Sequence, residues 1–360
     1  MKRALFILED LSLSGSTLTS LHVVRTLPKS VEILVLVMST HNEVDLARLQ
    51  DYKQSNVKIV YGDFPHSMSK RFKLFYFHYV KKIKIYIKKL SENKGFDWVY
   101  CHNYFISGPI FKFSKKLGCH NYFYSLSEVL KVSNLLLTEL VSIKSRKQIS
   151  KYCDKFIAIS NTCIDKRFYV PNKVIILHDY SDLIERTKQK PFSKKGTIVL
   201  GQIGYYSENK NQLFTLKLLT VLLEKKKDAR ACFIGFNLDE NYYKEMISFI
   251  QRNSLENHVR FYERNYDKEK FFNEIDILLM PSFSEGFPIS VMEAEKQKVY
   301  VLSSLAVSNE ANFVHLVRCD LADIDAWVSY LVSEDYKKGF ERPAVSLKEK
   351  FILTWQSLLS

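Results

Sequence analysis

Short apolar runs, each set apart from the next by a helix-period stretch, recur in two series along this chain and constrain its fold more than any other feature. Residues 4–8, 31–38, 57–60, 98–101, 121–124 and 156–160 make the first series, and 197–201, 231–235, 259–262, 275–280 and 299–302 the second. Runs of four to eight apolar or β-branched residues with helices between them are what a parallel, doubly wound sheet requires, since both of its faces are covered. The chain of 360 residues is long enough for two such cores. The stretch 186–196, RTKQKPFSKKG, is charged, carries Pro191 and Gly196, and has no apolar period, so it reads as a linker. The expected division is a domain over 1–185, the linker, a second domain over 197–345, and a terminal helix over 346–360.

A net charge of +14 points to an anionic partner: a nucleotide, a nucleic acid or an acidic membrane surface. The six cysteines have neither CxxC pairs nor metal-ligand spacing, which suits reduced thiols in a cytoplasmic protein. Only a short apolar run precedes Glu9 and Asp10, too short for a signal peptide, and no run approaches the length of a membrane span.

The most informative stretch is 281–298, PSFSEGFPISVMEAEKQK. An apolar run ends at Pro281, a polar Gly/Pro turn follows, and apolar spacing from Ile289 onward marks a helix with proline in its first turn. A strand, a glycine turn and a helix N-terminus make a corner suited to phosphate. Glu285 before the turn and Glu293 behind it are acceptor-only groups that could each hold sugar hydroxyls; the alternative is two ordinary solvated acids. Glu285 and Glu293, with Gly286-Phe287-Pro288 between, resemble the signature of retaining glycosyltransferases of family 4, of the kind found in bacterial surface-polysaccharide synthesis. The resemblance implies the GT-B fold, with two Rossmann-like domains facing across a cleft and a last helix crossing back to the first domain. It implies that Glu285 holds the transferred sugar, Glu293 holds the ribose, and the loop amides help bind the donor.

Two further corners fit that reading. At 201–212, GQIGYYSENKNQ, small residues lead to a lysine that opens a helix, again a diphosphate site. The resemblance makes Lys210 the charge that neutralises the leaving nucleotide, and puts Gln202 where the family carries Arg. After the first strand, Gly15 among small hydroxyl residues could let a phosphate approach the backbone, or Ser14 or Ser16 could simply cap a helix. The fourth strand ends in His102 and Asn103, at the end of a sheet where ligands sit; a structural hydrogen bond to a loop serves as well. Where family members carry a further His, this chain has Ser127, with Glu128 beside it. Ser303, Ser304 and Glu310 resemble the family's loop behind the nucleotide.

Residues 67–94 hold nine Lys or Arg against one Glu among many aromatics. Val80, Ile83, Ile87 and Leu90 recur at helical spacing, with Lys81, Lys82, Lys84, Lys88 and Lys89 opposite. That is the make-up of a helix lying on anionic lipid, or of a domain helix with solvated lysines; nucleic acid ranks below both, since no such motif accompanies it. The expected activity is transfer from a nucleotide sugar, a UDP-sugar favoured, to a lipid-linked glycan at the inner membrane face. Without an Asp-x-Asp motif, no cofactor or divalent ion is expected. The alternative is a non-catalytic GT-B subunit assisting a partner transferase; a nucleotide-sugar epimerase ranks third.

Overall fold

The computed structural model describes residues 2–11, 15–39, 50, 52, 57–65, 69–91, 94–125, 136–169, 174–188, 196–237, 239–313, 315–337 and 346–359. Ser12, Ser14, Ser127, Glu128 and most of the expected linker lie outside them.

The chain forms two compact units, Met1–Asp179 with Lys348–Ser360, and Tyr180–Leu347. The first holds a seven-stranded sheet of β1 (Arg3–Leu8), β2 (Glu32–Val37), β3 (Val57–Tyr61), β4 (Trp98–Cys101), β5 (His120–Ser125), β6 (Lys155–Ala158) and β7 (Val174–Ile176). Its order is β3-β2-β1-β4-β5-β6-β7 and every pairing is parallel, with Phe6 between Val35 and Tyr100. Its helices are α1 (Gly15–Thr26), α2 (Lys70–Leu74), α3 (Tyr76–Ser91), α4 (Tyr104–Lys115), α5 (Leu136–Tyr152) and α11 (Lys348–Leu359). The second unit has β8 (Ile198–Ile203), β9 (Ala229–Ile234), β10 (Val259–Tyr262), β11 (Ile277–Met280), β12 (Tyr300–Ser304) and β13 (Leu316–Cys319), in parallel order β10-β9-β8-β11-β12-β13. It is wrapped by α6 (Gln212–Glu224), α7 (Glu240–Arg252), α8 (Lys268–Glu274), α9 (Ile289–Lys296) and α10 (Ile324–Ser333). Both sheets are Rossmann-like, as the two apolar series require. The edge strands β7 and β13, of three and four residues, were not among those runs.

The division falls at Asp179/Tyr180, six residues ahead of the expected end of the first domain. Lys296 Nζ donates to Ser181 O (2.7 Å) and Leu183 O (3.0 Å), and the Arg186 amide donates to Lys296 O (2.8 Å). These bonds tie the segment to α9. Asp179 itself is bound into the first unit by His22 Nδ1 (2.8 Å), both side chains fully buried.

Two chain reversals fix where ligands can sit. The strand order turns back between β1 and β4 in one sheet and between β8 and β11 in the other. Loops leaving the carboxyl ends of such strand pairs diverge and leave a crevice, the usual ligand position in open α/β sheets. At the second reversal the strands are held close. Val199 and Asp276 exchange hydrogen bonds, N–H to Oδ2 at 2.9 Å and N–H to O at 2.7 Å, and a Cβ on Gly201 would lie 2.4 Å from Ile275 Cδ1.

The basic stretch turns its apolar stripe inward. Val80, Ile83 and Ile87 are buried in the core of the first unit, with Tyr76 and Tyr79. The apolar stripe therefore lies in the unit's own core. Lys81, Lys82, Lys88 and Lys89 stay exposed, and the apolar groups left outside are Leu74, Phe75, Phe77 and Ile85.

Candidate functional site

The loop after β8 and the loop after β11 lie at the reversal of the second sheet, and they are laced together. A short 3-10 turn, Glu208–Lys210, is capped by Ser207 and ends at Asn211, which takes the left-handed conformation (φ 55°). Asn211 Nδ2 donates to Pro281 O (3.1 Å), Asn209 Nδ2 to Ser284 O (3.0 Å), and the Phe283 amide to Asn209 O (2.9 Å). Ser304 Oγ, at the end of β12, donates to Ser282 O (2.5 Å) and steadies the same loop from behind.

This lacing brings Lys210 Nζ to 2.6 Å from Glu285 Oε1, both side chains largely buried. Burial alone would lower the Lys210 pKa, but the Glu285 carboxylate outweighs it and holds the ammonium above its ordinary value. Lys210 is therefore a fixed positive charge. Gly204 (φ 151°) lies beneath it, where a Cβ would sit 3.5 Å from the lysine's methylenes. Gln202 does not reach outward as the expected Arg equivalent. It is 3% exposed; its Nε2 donates to Lys210 O (2.7 Å) and its Oε1 accepts from Thr215 Oγ1 (2.8 Å). Gln202 positions the backbone of Lys210, while Thr215 positions Gln202.

Glu293 is buried on α9. Its Oε1 accepts from Lys268 Nζ (2.5 Å), and its Oε2 is buried with no hydrogen-bond partner among the described residues. A carboxylate oxygen in that state is costly unless something donates to it, so it is poised for a hydroxyl pair. Pro288 is the N-cap of α9, one position ahead of the expected first-turn proline; it has no N–H to give, so its part is to start the helix. Phe287 is buried against Phe313, ring centroids 5.8 Å apart, and anchors the turn on which Gly286 sits. Glu310 accepts from Ser308 Oγ (3.1 Å) in its own loop. Lys268 and Thr215 were not expected from the sequence, for no local pattern links them to the residues they serve.

At the reversal of the first sheet, Gly15 opens α1, and no atom of the described residues lies within 4 Å of where a Cβ would be. His102 follows β4; its Nδ1 is buried without a hydrogen-bond partner among the described residues, and burial pushes its pKa down to about 4, against the opposing effect of Asp10. It is a neutral imidazole at pH 7. Asn103 is committed elsewhere: its Oδ1 caps α4 at the Phe105 amide (2.8 Å) and its Nδ2 donates to Glu9 Oε2 (2.6 Å). Among the described residues no three His, Cys, Asp or Glu side chains converge to hold a metal ion.

The lowered histidines predict a pH dependence. His315, buried on the second unit, is also pushed down to about 4, by burial and then by Lys298. Between the ordinary value near 6.5 and 4, the unfolded chain binds protons that the folded chain refuses, so stability rises with pH across that window. Each histidine should cost up to about 2 kcal/mol at pH 5 relative to pH 7. Urea midpoints should fall over that range, and His315→Gln should flatten the fall. A midpoint unchanged between pH 7 and 5 contradicts the account.

The family model for glycosyl transferases group 1 matches residues 184–315, wholly within the second unit. The capsular polysaccharide biosynthesis glycosyltransferase CapH of Staphylococcus aureus is 25% identical over 242 residues, covering 63% of this chain and 66% of CapH. The O-antigen biosynthesis glycosyltransferase WclY of Escherichia coli is 24% identical over 161 residues, 42% of this chain and 44% of WclY. The matched stretches thus span about two thirds of the one relative and under half of the other. Among solved structures, the Anabaena protein HepE, crystallised with UDP and glucose, matches with a TM-score of 0.73 at 15% identity, over 99% of this chain and 95% of HepE. That likeness carries the fold, the GT-B class with two parallel-sheet domains.

Proposed function

We propose, from the premise that residues 184–315 form a glycosyl transferases group 1 domain and hence a transferase domain, that the whole chain moves a sugar from a nucleotide-sugar donor to a glycan acceptor in surface-polysaccharide synthesis. The observation that carries the reading is the Lys210–Glu285 pair at the reversal of the second sheet. Lys210 neutralises the diphosphate as it departs, Glu285 holds the transferred sugar, and Glu293, through its unpartnered Oε2, takes the ribose hydroxyls. Gly286 and Phe287 form the turn at the diphosphate, with Pro288 starting the helix behind it. In the first unit, Gly15 leaves room for a phosphate, and neutral His102 meets a sugar hydroxyl.

The reaction retains anomeric configuration, as in family 4. The departing phosphate takes the acceptor's proton, and the chain's part is electrostatic: a charge fixed in advance where negative charge develops. The donor is a UDP-sugar, in keeping with the UDP held in the HepE crystal structure. The acceptor is lipid-linked, and the protein works at the inner face of the cell membrane through exposed Lys81, Lys82, Lys88 and Lys89. No helix among the described residues is long and apolar enough to cross that membrane.

A thermal-shift panel of nucleoside diphosphates and nucleotide sugars, with and without EDTA, tests the donor site. A ligand at 100 times its Kd should stabilise by about 2.7 kcal/mol, a shift of several degrees. Glu293→Ala should abolish the shift with the fold retained, and EDTA should leave it unchanged. A second reading, a GT-B subunit that assists a partner transferase, is favoured by one observation: Gln202, standing where the resemblance puts an Arg, is buried and turned to Lys210, and brings no charge. Silence of the wild-type chain across the panel would put that reading first.

A further inference from the structure

We propose that the cavity enclosed by α3, α4 and α5 in the first unit binds one anionic membrane phospholipid, its phosphate among Lys84, Lys112, Lys116 and Lys144 and its first chain carbons against Phe77 and Val141. This goes beyond the transferase reading and does not depend on it. The cavity measures about 380 Å³, within the range of roughly 300–1,000 Å³ typical of small-ligand sites. That is room for a headgroup and the start of a chain.

The lysines converge for a structural reason. Gly108 on α4 lies so close to α5 that a Cβ there would sit 2.3 Å from Ser145 O, and its amide donates to Ser145 Oγ (3.1 Å). That approach sets Lys112, one turn further along α4, beside Lys144 on α5. Among the described residues lining the cavity there is no Asp or Glu, and none of the four lysines makes an ion pair. Burial, then Lys112 and Lys116, lower the Lys84 pKa below its ordinary value. Like charges gathered without a counterion destabilise the fold unless an anion joins them.

The remaining lining selects a lipid over a free anion. Phe77 is 68% exposed at the mouth, and Leu74 and Phe75 stand exposed beside it on the preceding turn. Leu140, exposed next to Val141, gives the opposite side an apolar edge. Gln148 Oε1, buried and without a partner among the described residues, is an acceptor for a headgroup hydroxyl. Half-buried Lys84, with exposed Lys112, Lys116 and Lys144 beside apolar edges, matches a phosphate carried on hydrocarbon.

The test is native mass spectrometry and titration of the full chain with dihexanoyl phosphatidylglycerol, dihexanoyl phosphatidylcholine and inorganic phosphate. One phosphatidylglycerol per chain is expected, with the other two at least about tenfold weaker. Each basic group near a lipid surface is worth about fivefold, so Lys112→Gln with Lys116→Gln should weaken binding roughly 25-fold. Val141→Trp, which fills the cavity, should abolish it. The Gln variant of Lys81, Lys82, Lys88 and Lys89 should reduce vesicle sedimentation and leave the one-to-one adduct intact. Inorganic phosphate binding as tightly as the lipid would overturn the proposal in favour of a free-anion site. Equal binding of phosphatidylcholine would reduce it to apolar adhesion, and undiminished binding by both the Lys112→Gln with Lys116→Gln variant and Val141→Trp would move the lipid elsewhere.

Discussion

Lys210→Met is expected to lower kcat/KM for sugar transfer by a factor of about 100 to 1,000, the usual consequence of removing one preorganised group at a developing oxyanion. Methionine keeps the length and apolar stem of lysine and deletes only the charge. The deletion also takes the charged partner from Glu285, whose carboxylate is largely buried against the ammonium at 2.6 Å. Breaking such a pair from one side costs on the order of 3–5 kcal/mol. Loss of activity and loss of fold must therefore be separated. The double variant Lys210→Met with Glu285→Gln removes both charges and should regain most of the stability while remaining inactive. Single-turnover rates read the chemistry and thermal unfolding reads the fold. A Lys210→Met enzyme with more than about a third of wild-type activity would remove Lys210 from the mechanism.

Trp355→Ala is expected to destabilise the first unit by about 3–5 kcal/mol, the range for truncating a buried large aromatic. Trp355 on α11 is 1% exposed, and its ring lies 5.9 Å from Tyr100, 5.7 Å from Tyr124 and 6.4 Å from Phe351. At the far end of the helix, Tyr122 Oη donates to Leu358 O (2.8 Å). For a unit of this size the transition should fall by roughly 6–20 °C. Fluorescence of Trp98, on β4 of the same unit, follows it. Trp327 belongs to the second unit, whose transition should stay in place. A shared drop of both transitions would show that α11 is not confined to the first core.

The sheets were legible because parallel strands buried on both faces leave unbroken apolar runs; of the four half-exposed edge strands, β3 and β10 were read and the short β7 and β13 were not. The corner at Glu285 was legible because its chemistry is local: strand, turn, helix and two acids lie within one short stretch. Lys268 was not, since it reaches Glu293 across the fold and carries no pattern of its own. What Gln202 does was not legible for another reason. Its place in the sequence pointed to the donor, but an amide at the end of a buried strand is drawn to the nearest unpaired carbonyl, here that of Lys210. The stripe of Val80, Ile83 and Ile87 shows what periodicity leaves open: it says that one face is apolar, and nothing about whether lipid or the protein's own core covers it.

The membership of α11 in the first unit has a bearing on how the chain is made. Residues 348–359 leave the ribosome after the whole of the second unit, at about 5–20 residues per second a wait of roughly ten to thirty seconds after Asp179. Through that interval the nascent first sheet carries Tyr100 and Tyr124 with no tryptophan over them. The part synthesised first is thus the part completed last, and an intervening domain can fold while its predecessor is still open. Stalled or prematurely ended chains would present that bare aromatic face to chaperones and proteases, whereas their second unit would already be whole.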